Sequence, residues 1–168
     1  MIDHVHAYTV PAAYSLLPEA MRSPEATALL LAIGAQESRF ESRRQCSGPA
    51  RGFWQFEPAG VRGVLDHSAS HVPIRAVLRA LRYGEADHAG EILHALEHND
   101  TLAACFARCL LWTLPGRLPG PNDAEEGWML YREAWRPGKP RRETWTANYA
   151  IGWGAVLQGR TIPPVVKA

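Results

Sequence analysis

Few cysteines, no long apolar run and almost no net charge set the first limits on this 168-residue chain. The three cysteines, Cys46, Cys105 and Cys109, are odd in number and too sparse for a disulfide scaffold. Cys105 and Cys109 lie four apart on an expected helix, where a bridge would strain its geometry, so buried free thiols are the expectation. No stretch approaches a membrane-spanning length. The N-terminal Met1-Ile2-Asp3-His4-Val5-His6 carries no basic segment followed by an apolar run, so no secretory signal is read there and synthesis in the cytoplasm is expected. A formal net charge of +1 argues against a general nucleic-acid-binding surface. Period-two alternation is scarce and no internal repeat is visible, which leaves little room for a sheet.

Helical periodicity is what remains. Helices are expected over Pro11 to Met21, Ser23 to about Phe40, Ala59 to Leu65, Ile74 to Arg82, Ala86 to His98, Asp100 to Trp112, Ala124 to Trp135 and Arg142 to Leu157. Asp100 is the expected N-cap of its helix, whose apolar side is traced by Leu102, Phe106, Cys109, Leu110 and Thr113. The runs Leu114 to Pro121 and Arg136 to Pro140, rich in proline and glycine, read as loops within one mainly α domain covering residues 1–168. At this length one domain can bury a sizeable core.

The most informative stretch is Ala35-Gln36-Glu37-Ser38-Arg39-Phe40, followed by Gly48-Pro49-Ala50-Arg51-Gly52-Phe53-Trp54-Gln55-Phe56. Ser23, Pro24 and Glu25 provide an N-cap hydroxyl, a first-turn proline and a first-turn acid. At about 100° per residue, Ala26, Leu30, Ile33, Glu37 and Phe40 share one sector of the helix, so Glu37 sits on the core-facing stripe. A lone carboxylate there is costly to ionise and can hold a proton near neutral pH, as a general acid must. The plainer alternative is a helix-end Glu that reaches solvent or pairs with Arg39 or Arg43.

Glu-Ser at the end of an apolar helix, with Gly-x-x-Gln about fifteen residues on, resembles the lytic transglycosylases of the goose-type lysozyme superfamily. Gln36 to Phe40 looks like that family's first motif and Gly52 to Phe56, with Pro58 after it, like the second; the match covers roughly residues 27 to 60. The resemblance implies a lysozyme-like helical domain that cleaves peptidoglycan between N-acetylmuramic acid and N-acetylglucosamine. Glu37 is implied as catalytic acid and base, with Ser38 and Gln55 contacting substrate or holding the acid. Gly52 is implied to admit the sugar or make a tight turn, and Phe53 and Trp54 to line a glycan groove. The family's later Tyr-Asn-Ala-Gly motif has its nearest counterpart in Asn148-Tyr149-Ala150-Ile151-Gly152, with the first two residues reversed and one extra before the glycine, so Tyr149 is the candidate support for Glu37. The tail Trp128-x-x-Tyr131-x-x-x-Trp135 looks like that of phage lysozyme-like proteins. Together with the expected lack of a signal this suggests a phage or prophage protein, reaching the wall by lysis or with the virion, with virion components among its expected partners.

One carboxylate suffices for a transglycosylase, which uses the muramoyl 6-hydroxyl as nucleophile and forms 1,6-anhydromuramic ends. A hydrolase usually needs a second acid to activate water. Glu41, one turn beyond Glu37 on the expected helix, lies beside it rather than opposite; Glu57 and Asp66 have no motif support. A hydrolytic lysozyme is thus the nearest alternative, and a catalytically silent wall-binding phage structural protein another. No cofactor or metal is implied. His94 and His98, like His67 and His71, lie four apart, but the metalloprotease pattern is missing and solvent-facing histidines are expected. Trp128, Tyr131 and Trp135 at helical spacing are expected in the core. Two basic clusters, Arg39, Arg43, Arg44 and Arg51, then Arg136, Lys139, Arg141 and Arg142, suit either solvated loops or an acidic polymer; with the family resemblance, the first could meet stem-peptide carboxylates.

Overall fold

A computed structural model describes residues 1–83 and 89–159. Among the described residues the chain is mainly α, one domain of eight helices without strands. Helix α1 spans residues 2–16 and contains a π-helical segment, Val5–Thr9. It begins well before the expected Pro11. The wide π turn immediately upstream relieves the carbonyl that the Pro11 ring would otherwise meet, so the proline is absorbed rather than starting the helix. Leu17, extended ahead of Pro18, ends it, and a 3-10 turn Glu19–Met21 follows.

The others are α2 Pro24–Ser38, α3 Pro58–Asp66, α4 Ser68–Ala80, α5 Ala89–His98, α6 Asp100–Trp112, α7 Ala124–Trp135 and α8 Arg142–Gly159. The expected Ala86 start of α5 lies outside the described residues. Helix α4 starts six residues before the expected Ile74 and runs through Pro73. Its first turn is held by the His67 ring, which accepts from the Ala69 N–H at 3.1 Å, and by the Ser70 hydroxyl, which donates to the Val64 carbonyl at 2.7 Å. His67 is exposed, as expected, and it also caps this helix. Helix α6 begins at Asp100, but its cap is Asn99, whose side chain accepts from the Leu102 N–H at 3.0 Å. Asp100 is instead occupied by Arg43.

Helix α6 is the axis of the core. Every residue from Leu102 to Leu111 is buried, so the single apolar side expected for it is a full circumference, packed by α1, α2, α3, α4 and α5. Arg108 is carried inside with it. Its Nε donates to the Met21 carbonyl at 2.6 Å and its guanidinium lies 4.9 Å from the Trp112 ring. Cys105 and Cys109 are buried free thiols, and burial pushes Cys109 up to about 12 and Cys105 upward also. Both stay neutral and unreactive at physiological pH.

Helix α2 is likewise apolar on all sides, from Ala28 to Ala35, and its main partner is α8. The two come together at Gly152, where a Cβ would lie 2.3 Å from the Ala28 carbonyl oxygen. No larger residue permits that approach without moving a helix. The contact decides what faces the end of α2, where Glu37 sits. No helix among the described residues is long and apolar enough to cross a membrane.

Candidate active site

Helix α2 starts as expected, with the Ser23 hydroxyl accepting from the Ala26 N–H at 3.1 Å and Pro24 in the first turn. It stops at Ser38, two residues short of the expected end, because Arg39 and Phe40 both adopt left-handed backbone, with φ of 54° and 56°. The reversal drops the Phe40 ring edge-on against Phe53 and Trp54, at 5.4 and 6.0 Å between centroids. It also removes Glu41 from the helix. Glu41 is exposed beyond the turn, not beside Glu37 as the helical continuation implied.

Glu37 thus occupies the last helical turn and is partly exposed. Burial is the main cause that holds its carboxyl above the usual range, and the negative charge of Glu57 adds to it; Tyr131 and Arg141 act in the opposite direction. The helix C-terminus also disfavours an anion there. The Tyr131 hydroxyl donates to Glu37 Oε1 at 2.5 Å. Burial and the adjacent carboxylate keep the phenol itself protonated, well above its ordinary range.

Tyr131 can reach this far because its ring is fixed. It stacks on Trp145 at 5.1 Å and 13° and lies 6.3 Å from Trp135, whose indole N–H donates to the Trp54 carbonyl at 2.9 Å. The row Trp128, Tyr131 and Trp135 does pack, with Trp128 and Tyr131 buried and Trp135 partly so. What the spacing could not reveal is that one hydroxyl in this row meets the acid. The available signal was the rule that a buried tyrosine needs a partner for its O–H.

Tyr149, the expected support, does not contact Glu37. Its ring is buried and its hydroxyl donates to the Gly120 carbonyl at 2.7 Å, on the far side of the α7 entry loop. The reversed order Asn148-Tyr149 sends Asn148 toward α2 instead. Asn148 Nδ2 donates to Gln36 Oε1 at 2.7 Å, and the Thr144 hydroxyl to the same oxygen at 3.0 Å. Gln36 Nε2 donates to the Arg141 carbonyl at 2.9 Å, and the Arg141 guanidinium donates back to the Gln36 carbonyl. Gln36 is buried, and its amide oxygen taking two donors while its nitrogen meets one carbonyl is the expected condition of a polar core group. This clamp presents Arg141 to Glu37, a role not legible from its place in a basic loop.

The second segment, Gly48 to Phe56, is a tight loop, closed by reciprocal backbone bonds between Arg51 and Phe56 at 2.9 and 2.8 Å. Gly52 has φ of 73°, and a Cβ there would sit 2.7 Å from the Leu96 carbonyl oxygen. Its glycine serves the turn and the packing on α5; the backbone it approaches is Leu96, not a sugar. Phe53 and Trp54 are buried, Trp54 completely, with its indole N–H donating to the Leu30 carbonyl at 2.8 Å. A ring with no exposed face cannot stack on a sugar, so the groove expected from these two residues is corrected to core. The Ser38 hydroxyl donates to the Phe53 carbonyl at 2.7 Å and accepts from the Phe40 N–H at 3.1 Å, which latches the end of α2 to this loop. Gln55, partly exposed with φ of 48°, folds its amide onto the Gly52 carbonyl at 2.8 Å. Ser38 and Gln55 therefore shape the backbone beside Glu37.

Three of the four arginines in the first basic cluster have acidic partners. Arg43 grips Asp100 with two bonds of 2.8 and 2.6 Å, and Arg44 and Arg51 meet Glu97 at 3.3 and 3.0 Å. These pairs fasten the loop of the second segment to the α5–α6 corner. Glu57, exposed at the cap of α3, is the second carboxylate whose field reaches Glu37; Asp66 lies at the far end of the same helix. The His94 and His98 rings lie 4.9 Å apart, tilted by 55°, and are exposed, and among the described residues no three metal-ligating side chains gather.

Removing the Tyr131 hydroxyl tests this geometry. The bond favours ionised Glu37, so in Tyr131→Phe the Glu37 pKa rises further. Activity that requires the protonated acid then extends to higher pH, while the rate falls roughly ten- to hundredfold from the lost bond to a charged group. A pH profile of kcat/KM reads both; an alkaline limb that stays in place or moves down overturns the assignment. The ring stack survives the change, so circular dichroism is expected to match the parent.

Comparison of the chain with protein-family models, with curated proteins and with solved structures finds no match.

Proposed function

We propose that the protein cleaves peptidoglycan glycan strands between N-acetylmuramic acid and N-acetylglucosamine, as a lytic transglycosylase built on a lysozyme-like helical domain. The observation that carries this reading is Glu37: a carboxyl buried enough to keep its proton above the usual range, yet partly open to solvent and aimed by a fixed tyrosine. The two matched segments, which the fold joins through Ser38 and the Phe53 carbonyl, support it. The setting it implies is a phage or prophage lysis or virion protein.

In the first step the Glu37 carboxyl gives its proton to the glycosidic oxygen. The muramoyl C1–O bond breaks, its electron pair leaves with the N-acetylglucosamine oxygen, and C1 becomes oxocarbenium-like. The resulting Glu37 carboxylate is held by the Tyr131 O–H and by the charge of Arg141. It then takes the proton of the muramoyl 6-hydroxyl as O6 bonds to C1. The acid is restored and no water is consumed.

Glu57 favours one second reading, hydrolysis, because it is the other carboxylate whose charge is felt at Glu37. The products decide between them. Digestion in heavy-oxygen water is expected to release muropeptides with unlabelled 1,6-anhydro ends, one water lighter than hydrolysis products. Labelled reducing ends that disappear in Glu57→Gln would make the protein a lysozyme with Glu37 still its acid.

A further inference from the structure

The acid is set in a cluster of aromatic rings, and nearly all of them are closed to solvent. Phe40, Phe53, Trp54, Phe56, Tyr131 and Trp145 are buried, none more than 2% exposed. Trp135, one turn after Tyr131 on α7, packs on the same cluster and stays partly exposed. Among the described residues it is the ring of this cluster that keeps surface open beside Glu37.

Its neighbours fix it without covering it. Tyr131 overlaps the indole obliquely, with centroids 6.3 Å apart and planes 29° from parallel, and Phe56 meets it tilted by 56° at 5.9 Å. The indole N–H donates to the Trp54 carbonyl at 2.9 Å, on the loop that Ser38 latches to the end of α2, while the Tyr131 it leans on holds Glu37. Two separate connections therefore set the ring's position relative to the acid. With its one donor committed, the indole offers a ligand only carbon surface.

Carbon surface suits one part of a sugar. A pyranose with equatorial substituents turns axial C–H groups to either side, and such a face gains dispersion contacts and loses water when laid on an aromatic ring. We propose that the open surface of Trp135 is a stacking platform for a sugar ring of the strand next to the bond at Glu37, recognising an N-acetylhexosamine by its C–H face and not by hydrogen bonds. The inference rests on the reading that Glu37 cleaves the glycan strand, and it gives the groove an aromatic ring that Phe53 and Trp54, both in the core, do not.

The Glu37→Gln protein, which holds substrate without turning it over, is treated with N-bromosuccinimide in the absence and presence of chitotetraose, and peptide mass mapping reads the oxidation of each tryptophan. Trp135 is expected to be oxidised in the free protein and protected at saturating sugar. Trp112, exposed beside Arg108 at the other end of α2, is expected to be oxidised in both. Affinity should also follow the ring: Trp135→Phe keeps an aromatic face but loses the bond to Trp54 and is expected to bind within about threefold of the parent, Trp135→Leu about tenfold more weakly. A ring that only packs would instead lower Tm in both variants and leave the sugar affinity of the folded proteins unchanged. Equal oxidation of Trp135 with and without sugar overturns the platform, as does parental affinity in folded Trp135→Leu. Turnover separates this inference from the function it rests on. If the parent cleaves strands and Trp135→Leu does so with equal kcat/KM, the platform fails and the cleavage reading stands. If the parent cleaves nothing while sugar still protects Trp135, the cleavage reading fails and the platform stands as a binding surface.

Discussion

Replacing Glu37 by Gln is expected to abolish strand cleavage and at the same time to make the fold more stable at neutral pH. The loss of a positioned general acid costs about 10²–10⁴ in rate, and in the proposed mechanism the same group is also the base. The gain has a separate origin. In the unfolded chain a glutamate ionises near 4.5, while in the fold, burial first and the Glu57 charge second hold the proton to higher pH. Protonation of Glu37 therefore favours the folded state. That contribution is complete below the unfolded pKa and is lost as pH rises through the folded one, about 1.4 kcal/mol for each unit between them. Gln does not titrate and its carbonyl oxygen can accept the same Tyr131 bond. The two proteins should be nearly equal in stability at acid pH, and the variant should pull ahead through the mildly acid range to a plateau at neutrality. Urea titrations at the two ends of that range measure the difference. A folded variant with full activity removes Glu37 from the site, and a variant less stable at neutral pH contradicts the burial of its charge.

Trp54→Ala is expected to fall on stability, not on sugar binding. The indole is fully buried, touches Phe40, and donates to Leu30 in the middle of α2. Truncating a buried tryptophan costs about 3–5 kcal/mol, which in a domain of this size lowers Tm by roughly 6–20 °C. Below the shifted Tm the variant should retain affinity for chitooligosaccharide. A variant that melts with the parent but no longer binds would return Trp54 to a glycan groove.

The residues explain why some features could be read in advance. Helix α7 runs from Ala124 to Trp135 as expected because proline- and glycine-rich loops bracket it, and chain breakers act locally. The end of α2 departs from the expected Phe40 because the residues that turn it, Arg39 and Phe40, carry no glycine signal. Their left-handed backbone is held by burial of the Phe40 ring and by the Ser38 hydroxyl, both properties of the folded chain. The position of Glu37 in the last turn followed from periodicity. Its neighbours did not, since Tyr131 lies 94 residues away and Asn148, which touches Gln36, 112 residues away. Tyr149 and Tyr131 are both buried aromatic residues at helical spacing, and only the crossing of α8 over α2 decides which of the α7 and α8 side chains meets the acid. Phe53 and Trp54 resemble groove residues when read beside Gln55; the closed Arg51–Phe56 loop turns both rings inward.

The clamp on Gln36 has a consequence for timing. Glu37 leaves the ribosome early, but the segment that fixes the residue before it, Arg141 with Thr144 and Asn148, is made at least 105 residues later. At ordinary elongation rates that interval is roughly 5–20 seconds. During it α2 has neither its α8 partner nor the Tyr131 hydroxyl, and the acid is an ordinary exposed glutamate. The chain thus carries no assembled site while it is being made, and acquires one only when α8 closes over α2.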